Sequence, residues 1–227
     1  MKIEDHYSLN NKQIEQFDKY MDLLLEWNEK INLTAITEKN QIILKHFIDS
    51  LTISKYIENN SKVIDVGTGA GFPGIPLKIY NNTLNITLLD SLNKRINFLN
   101  EVINELQLEK IQAIHSRAED LARNNNYREK FDYAISRAVA NLSTLSEYLL
   151  PYVKVNGKCI CMKGPNINEE VKNSKQALKR LGGEIIDIKN FTLPESDIER
   201  NIIIIKKIKN TDKEFPRKAG IPAKKPL

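Results

Sequence analysis

Four closely spaced glycines follow a short apolar run and a carboxylate between Val63 and Leu77. The glycines are Gly67, Gly69, Gly71 and Gly74, and the carboxylate is Asp65. A buried strand that breaks into glycine turns before a helix lets backbone atoms approach a ligand closely, as in the doubly wound α/β folds that hold nucleotide-like cofactors. The segment therefore predicts a cofactor site at the carboxyl end of a strand.

The spacing alone does not choose the cofactor. The last three of these glycines match the dinucleotide-binding pattern GxGxxG, and Asp90 ends the next apolar run 23 residues after Gly67, where a ribose-binding carboxylate belongs. A nucleotide-dependent oxidoreductase that uses NAD is therefore one interpretation of the segment.

Neighbouring residues favour a cationic cofactor instead. Pro73 and Pro76 remove two of the N–H donors that a pyrophosphate needs at the start of a helix. The charge of Asp65, just before the glycines, would repel a pyrophosphate but would suit the ammonium or sulfonium group of S-adenosylmethionine. S-adenosyl-L-methionine is therefore the cofactor that we expect.

Three further polar residues follow predicted strands at the same edge of the sheet. Asp90 can accept hydrogen bonds from both ribose hydroxyls, or it can cap the helix that starts near Ser91. Glu119, in the polar loop 116–120, is placed to line an adenine pocket, unless it is a surface charge. Arg137 follows the fourth strand, which neighbours the first at the switch point of such a sheet, so it points toward the cofactor or its acceptor or forms a structural ion pair.

Hydrophobic periodicity predicts the elements that position these residues. Residues 11–31, and a second segment from the capping residue Thr37 to about residue 59, have the pattern of amphipathic helices. Short apolar runs then alternate with helical patterns, which indicates a parallel sheet with helices on both faces. The predicted strands are 62–66, 86–90, 111–115, 131–136, 158–163, 184–193 and 201–208, and the predicted helices between them are 92–106, one that starts at Asn141 or Ser143 and ends at Pro151, and 168–181.

The fold class is therefore α/β, with a mostly parallel seven-stranded sheet that ends in an antiparallel edge hairpin. We expect an N-terminal helical extension over residues 1–61, a cofactor-binding domain over 62–209 and a basic C-terminal tail over 210–227. With 227 residues, of which 41% are hydrophobic, the chain can bury one sizeable core.

The distribution of charge points to a polyanionic partner. The net charge of the chain is +5, but from Lys206 to the end eight basic residues face two acidic ones, and the remainder of the chain is close to neutral. A basic terminus on a neutral body is typical of a contact with nucleic acid phosphates, although a solvated tail would have the same composition.

Other features exclude several classes of protein. No run of 18 apolar residues occurs, and the N-terminus lacks the apolar segment of a secretion signal, so we expect a cytoplasmic protein without membrane contact. Cys159 and Cys161 lie two apart on a predicted strand and share a face, which suits packing better than a disulfide or a zinc site. We therefore expect no metal.

At this point the sequence resembles a known family over nearly its whole length: RsmG, also called GidB, the bacterial 16S rRNA 7-methylguanosine methyltransferases. The motifs that carry the resemblance are Asn32-Leu-Thr34, His46-Phe-Ile-Asp-Ser-Leu51, Asp65 to Leu77, Asp90 to Leu99, Ser136-Arg-Ala138, Lys163-Gly164 and Arg217-Lys-Ala-Gly-Ile-Pro222. The resemblance implies the Rossmann-like fold of S-adenosylmethionine-dependent methyltransferases and methylation at N7 of one guanosine in 16S rRNA.

The resemblance also implies roles for individual residues. Gly67 and Phe72 are similar to cofactor contacts, Ala118 and Glu119 to contacts with the adenosine end, and Arg137 to a contact from the fourth strand, while Asp90 matches the ribose position. Together with Asp65, Gly69 and Gly71 they form the expected cofactor site. An aromatic ring beside the glycine turn can also cover an apolar edge of the cofactor, although Phe72 could equally fill the core.

The chemistry of the implied reaction requires no general base, because guanine N7 carries a lone pair and no proton. Positioning should dominate, since in-line orientation of two reactants can supply on the order of 7 kcal/mol or more, and we name no catalytic acid or base. The residues expected to contact RNA are His46, Lys163, Arg200, Arg217 and Lys218. His46 and Asp49 share a helix face that could reach the site, or they could form a local hydrogen bond.

The expected partner is 16S rRNA, in the small ribosomal subunit or its assembly intermediate, and we expect a monomer. A non-catalytic rRNA-binding or assembly factor that retains the cofactor fold is the remaining alternative.

Overall fold

The computed structural model of this chain describes residues 1–137 and 139–227. Ala138, which belongs to one of the motifs quoted above, lies outside the described residues. The strands are β1 Lys62–Val66, β2 Asn85–Asp90, β3 Ile111–His115, β4 Phe131–Arg137, β5 Val153–Lys163, β6 Gly183–Thr192 and β7 Glu199–Lys207. The helices are α1 Asn11–Ile31, α2 Lys39–Ile42, α3 Asp49–Leu51, α4 Gly74–Tyr80, α5 Asn93–Glu105, α6 Ala118–Leu121, α7 Leu142–Leu149, α8 Asn168–Leu181 and α9 Ile221–Lys224.

The seven strands form one sheet in the order β3-β2-β1-β4-β5-β7-β6. The first five pair in parallel, whereas β7 runs antiparallel to both β5 and β6. The predicted parallel sheet with an antiparallel edge hairpin is therefore confirmed. The strand order reverses between β1 and β4, and ligands bind at such a switch point, outside the carboxyl ends of the strands.

Two apolar layers cover the two faces of the sheet. The N-terminal helices, α4 and α5 bury one face through residues such as Phe17, Leu51 and Phe98, whereas α7 and α8 bury the other through Leu145 and Leu181. Side chains alternate along β1, so Ile64 and Val66 belong to the second layer and Val63 to the first. Cys159 and Cys161 are both buried in the second layer, as their spacing predicts.

The N-terminal extension starts as predicted and then differs. Asn10 caps α1 by accepting a hydrogen bond from the Gln13 N–H at 3.0 Å. The second helix begins after Glu38, whose carboxylate caps it, rather than after Thr37, and its central part Ile43–Ile48 is a π-helix. It also ends earlier than predicted, at Leu51, where the Thr52 hydroxyl donates to the carbonyl oxygen of Asp49 at 2.6 Å.

Strand β5 starts at Val153, five residues before the predicted start; residues 154–156 are exposed, and Asn156 and Gly157 separate the two valines from the continuous apolar run that follows. Asn141 caps α7 by accepting from the Thr144 N–H at 3.1 Å, which selects the first of the two predicted starts. Among the residues described, no helix is long and apolar enough to cross a membrane.

The C-terminal segment 210–227 folds back onto the body of the protein. Phe215 is 1% exposed, and Arg128 donates to backbone carbonyl oxygens of Thr211 and Phe215 at 2.7 and 2.8 Å. The alternative of a solvated tail is therefore wrong for this segment, since its backbone is bound to the domain over most of its length.

Candidate active site

A cavity of about 600 Å³ lies at the carboxyl ends of the parallel strands. Its walls come from the loops after β1, β2, β3 and β4, from the N-terminal extension, from α7 and from the C-terminal segment. The lining residues are Leu33, Thr34, His46, Val66 to Ala70, Phe72, Leu89 to Ser91, Arg95, Ser116 to Glu119, Arg137, Val139, Tyr148, Gly220 and Ala223. Seven of the nine residues predicted to bind the cofactor are in this set; Asp65 and Gly71 are not.

Gly67 and Gly69 form the floor of the cavity with left-handed backbones. Their φ angles are +71° and +63°, and a Cβ atom on Gly67 would lie 2.7 Å from Cγ2 of Val139. The Gly67 N–H donates to the Leu89 carbonyl oxygen at 2.8 Å and the Gly69 N–H to Oδ2 of Asp90 at 3.0 Å. Glycine is needed at Gly67 because both the conformation and the close approach exclude a side chain.

Gly71 serves packing against the N-terminal extension. Its φ is +98°, and an added Cβ atom would lie 2.8 Å from the Tyr20 hydroxyl oxygen and 2.5 Å from Cδ1 of Ile75. The Tyr20 hydroxyl also donates a short hydrogen bond to the carbonyl oxygen of Ala70. Helix α1 therefore supports the glycine loop from behind.

Asp65 lies beneath the loop and is fully buried. Its Oδ2 accepts hydrogen bonds from the Thr68 hydroxyl at 2.7 Å and the Gly74 N–H at 2.8 Å, whereas its Oδ1 has no hydrogen-bond partner among the described residues. Burial raises the pKa of this carboxyl to about 7, although both hydrogen bonds act in the opposite direction. The side chain thus fixes the loop to α4.

The start of α4 has little capacity to hold a phosphate. The Gly74 N–H is bound to Asp65, and the Ile75 N–H donates to the Gly71 carbonyl oxygen at 2.8 Å. Pro73 and Pro76 carry no N–H. The donors that a pyrophosphate would use are therefore occupied or missing, which counts against a dinucleotide.

Asp90 reaches the cavity from the end of β2 and is 3% exposed. Its Oδ1 accepts from the Leu92 N–H at 3.0 Å, but Leu92 is itself the N-cap of α5, which has no side-chain cap, so the helix-cap alternative is wrong. Its Oδ2 accepts from the Gly69 N–H and from Nη1 of Arg95 at 3.0 and 3.1 Å. Arg95 was not singled out from the sequence, although its position five residues after Asp90, on the first turn of α5, places both side chains at one edge.

Glu119 and Ala118 line the cavity from the loop after β3. Glu119 is 5% exposed, so it is not a surface charge, and its Oε1 accepts a hydrogen bond from the Gly220 N–H at 2.8 Å. The Ala118 carbonyl oxygen accepts from the Tyr152 hydroxyl at 2.6 Å. Sequence reasoning missed Tyr148, Gly220 and Ala223, the lining residues that α7 and the C-terminal segment contribute.

Arg137, His46 and Phe72 form a stacked cluster on the cavity wall. The imidazole of His46 lies parallel to the Phe72 ring at 4.5 Å, and the guanidinium of Arg137 lies 5.0 Å from the centre of the same ring. Nη2 of Arg137 is 3.1 Å from Nδ1 of His46, and Nη1 donates to Oδ2 of Asp49 at 3.3 Å. Arg137 is therefore both an ion-pair partner and a lining residue.

The protonation of His46 follows from its partners. A guanidinium can only donate, so Nδ1 of His46 accepts from Arg137, and Nε2 donates to the Thr34 hydroxyl oxygen at 2.9 Å. Burial, followed by the charge of Arg137, lowers the pKa of His46 to about 4. The imidazole is therefore neutral near pH 7.

A second cavity of about 380 Å³ adjoins the first and shares His46 and Arg137 with it. Three predicted RNA contacts, His46, Lys163 and Arg200, line this cavity. Arg200 donates through Nε to both oxygens of Asp49, at 3.2 and 3.3 Å, and Lys163 donates to Glu170. The structure therefore brings these three candidates together at one opening.

Arg217 and Lys218, the other two predicted RNA contacts, are not among the residues that line the second cavity. Arg217 is bound to Glu147, with Nη2 to Oε2 at 2.7 Å and Nε to Oε1 at 3.0 Å, and Glu147 is completely buried. Lys218 is exposed. Replacing Arg217 would therefore disturb the fold of the C-terminal segment, so an Arg217/Lys218 double variant would not isolate a contact with RNA.

The sequence of this chain is similar to one family of known proteins over most of its length. The model of the family described as "GidB: rRNA small subunit methyltransferase G" matches residues 13–203. A curated relative from Desulforamulus reducens, named ribosomal RNA small subunit methyltransferase G, is 54% identical over 99% of this chain and 94% of its own length. A relative of the same name from Clostridium perfringens strain 13 is 56% identical over 96% of this chain and 92% of its own length.

Solved structures share the fold at low sequence identity. TYW2 from M. jannaschii in complex with AdoMet is 16% identical, with a TM-score of 0.55 over 71% of this chain and 76% of that one. A SAM-dependent methyltransferase from Aquifex aeolicus is 18% identical, with a TM-score of 0.53 over 74% of this chain and 93% of that one. These likenesses concern the fold alone.

Proposed function

This chain belongs to the rRNA small subunit methyltransferase G family, and on that premise we propose that it transfers the methyl group of S-adenosylmethionine to N7 of a guanosine in 16S rRNA. The observation that carries the proposal is the pair of adjoining cavities with one shared wall. The larger cavity has the carboxylates of Asp90 and Glu119 and two turn glycines in its wall, and the smaller one includes the basic side chains of Lys163 and Arg200.

The larger cavity fits S-adenosylmethionine in shape and chemistry. The carboxylates of Asp90 and Glu119 suit ribose hydroxyls and an adenine amino group, both of which donate hydrogen bonds. Gly69 leaves open space on its cavity side, since an added Cβ atom would meet none of the described residues within 4 Å. The occupied and missing donors at the start of α4 argue against NAD, so an oxidoreductase is not favoured.

The cofactor contacts are assigned on this basis. Seven residues in the cavity wall contact the cofactor: Gly67, Gly69, Phe72, Asp90, Ala118, Glu119 and Arg137. Asp65 and Gly71 support it indirectly, Asp65 by tying the loop to α4 and Gly71 by allowing Tyr20 to approach.

The bound cofactor supplies an electrophilic methyl group, and the residues of this chain orient the acceptor. Guanine N7 has a free lone pair, so no proton has to be removed before attack. His46 suits this requirement, because its Nδ1 is occupied by Arg137 and its pKa of about 4 makes it a poor base. Rate acceleration then comes from orientation and from exclusion of water.

We assign the second cavity to the target base. His46 and Arg137 form the wall that it shares with the cofactor cavity, so a base there lies beside the methyl donor. Arg200 and Lys163 at the same opening can orient guanine O6 or a neighbouring phosphate. Their existing partners, Asp49 and Glu170, hold the two side chains in place.

Methyl transfer to 16S rRNA tests the proposal. The full chain is incubated with labelled S-adenosylmethionine and either naked 16S rRNA or the small subunit, and the modified base is mapped chemically. We expect label at N7 of one guanosine and a clear preference for one of the two substrates. Label on an adenosine or on a ring carbon would refute the base assignment, and binding of rRNA without transfer would support an assembly factor.

Asp90→Asn tests the cofactor site in the same assay, with the exposed Asp197→Asn as its matched control. The first variant loses the charge that accepts from both Gly69 and Arg95, so transfer should fall by on the order of 10-fold or more, whereas the control should retain it. Equal activity of the two variants would exclude Asp90 from the site.

The proposal also includes the setting of the reaction. The chain acts as a monomer, and it acts in the cytoplasm, where 16S rRNA is assembled. Light scattering of the purified protein tests the first point, and fractionation of cells tests the second.

A further inference from the structure

The C-terminal segment is a wall of the cofactor cavity. Gly220 and Ala223, at the start of α9, line the cavity beside Glu119. Gly220 has a φ of +82°, a conformation that favours glycine, and this turn directs its N–H at Oε1 of Glu119, 2.8 Å away. One oxygen of the carboxylate is thereby committed to the segment, and the orientation of the other is fixed.

A buried ion pair holds the segment in this position. Glu147 on α7 is 0% exposed, and its carboxylate accepts from the backbone N–H of Arg217 at 2.7 Å as well as from the Arg217 guanidinium at 2.7, 3.0 and 3.1 Å. Hydrogen bonds between charged groups are stronger than those between neutral groups. A buried carboxylate that loses its partner strongly destabilises the folded protein.

A second contact from the same helix acts in parallel. Thr144, one turn before Glu147 on α7, donates through its hydroxyl to the Pro222 carbonyl oxygen at 3.0 Å. Arg217 and Pro222 bracket Gly220, so the two contacts restrain the turn from both sides. Tyr148, the residue after Glu147, lines the cavity itself.

We propose that Arg217 and Glu147 are positioning residues for the adenine end of the cofactor. They hold the segment so that the Gly220 N–H presents the Glu119 carboxylate to the exocyclic amino group of adenine. The inference rests on the proposed use of S-adenosylmethionine. It assigns Arg217 to cofactor selection, whereas the exposed Lys218 remains free to meet RNA.

The consequence is a specific effect on recognition of the purine. A carboxylate accepts from the 6-amino group of adenine, whereas the 6-oxo group of hypoxanthine offers it only a lone pair. The wild-type protein therefore discriminates against the hypoxanthine analogue. A Glu119 side chain released from Gly220 can rotate, so the discrimination falls when the segment is loosened.

Calorimetric titration of the full chain with S-adenosylhomocysteine and S-inosylhomocysteine, without RNA, tests the proposal. For Arg217→Ala we expect on the order of 10-fold weaker binding of the adenine compound, as for the loss of one charged hydrogen bond, and a smaller ratio between the two ligands. Lys213→Ala, an exposed change in the same segment, is the matched control and should leave both affinities unchanged.

A double-mutant cycle with Glu119→Gln separates positioning from general destabilisation. If Arg217 acts through Glu119, the two changes together weaken binding by less than the product of their separate effects. Independent effects that multiply, or equal loss for both ligands, would overturn the proposal. Unchanged affinity in Arg217→Ala would do the same.

Two milder variants keep the test valid if Arg217→Ala does not fold. Thr144→Val removes only the hydroxyl donor to Pro222, and Arg217→Lys retains the charge without the paired geometry. Each should weaken the adenine compound a few-fold and reduce the ligand ratio, and full affinity in both would refute the role. A wild-type protein that binds neither ligand would instead contradict the proposed function.

Discussion

The replacement Asp65→Asn should change the pH dependence of folding. Asp65 is 0% exposed, and burial raises the pKa of its carboxyl from 3.8 to about 7 in the folded chain. The asparagine is nearly the same size, and its Oδ1 can still accept the hydrogen bond from the Gly74 N–H. The variant therefore removes the ionisation and leaves the packing of the loop intact.

The size of the effect follows from the shift. The pKa rises by roughly three units on folding, and each unit corresponds to about 1.4 kcal/mol, so the span is about 4 kcal/mol. Because the folded pKa lies above the unfolded one, the contribution of the carboxyl to stability is complete below pH 3.8. It is lost as the pH rises to about 7 and constant beyond. The unfolding free energy of the variant should therefore rise by about 4 kcal/mol relative to the wild type over this range.

Urea unfolding at several pH values between 4 and 8 measures this difference. The comparison of the two proteins at each pH cancels the titration of other groups. The exposed Asp197→Asn provides the matched control. A difference between Asp65→Asn and the wild type that stays constant from pH 4 to 8 would show that Asp65 does not titrate there. The argument from its burial would then fail.

Three other changes test separate parts of the site. Gly67→Ala places a Cβ atom 2.7 Å from Cγ2 of Val139 at a φ of +71°. The unfolding free energy, measured by urea unfolding, should therefore fall by about 1–2 kcal/mol, and S-adenosylhomocysteine binding should be largely lost. The unfolding free energy of the wild type should fall by about 3 kcal/mol as the pH drops from 6.5 through 4, because the pKa of His46 is lowered to about 4 in the folded chain. His46→Gln should abolish this fall, and urea unfolding of both proteins across this pH range measures the difference. Arg200→Ala should raise KM for 16S rRNA several-fold and leave cofactor affinity unchanged. Arg200 lines the smaller cavity and not the larger one, and Asp49 keeps its ion pair with Arg137 in the variant. Steady-state kinetics with each substrate varied in turn measure both effects.

The sequence determined the features that depend on neighbours along the chain. The alternation of apolar runs and helical patterns predicts the seven strands and the antiparallel hairpin. The glycine spacing predicts where the backbone turns, because the left-handed conformations at Gly67 and Gly69 favour glycine, which has no Cβ atom. Local stereochemistry and periodicity are properties of short segments, and short segments are what a single sequence displays.

The direction in which side chains point was harder to predict from the sequence. Asp65 shares a face of β1 with Val63, and this face turns toward α4 and away from the cavity, so the carboxylate supports the loop from beneath. The π-helix at Ile43–Ile48 likewise has no signal in the periodicity. It places His46 against Phe72, 26 residues away, through contacts that exist only after the extension has packed on the sheet.

Only the tertiary structure decided the role of the C-terminal segment. Its basic composition suggests an arm for nucleic acid, and Arg217 carries no mark that distinguishes it from Lys218. The distinction comes from Glu147, which lies 70 residues earlier and is buried when the segment folds over α7. A charge in a sequence has no fixed role, because its energy depends on solvent exposure and on its partner, and both are set by the packing of distant parts of the chain.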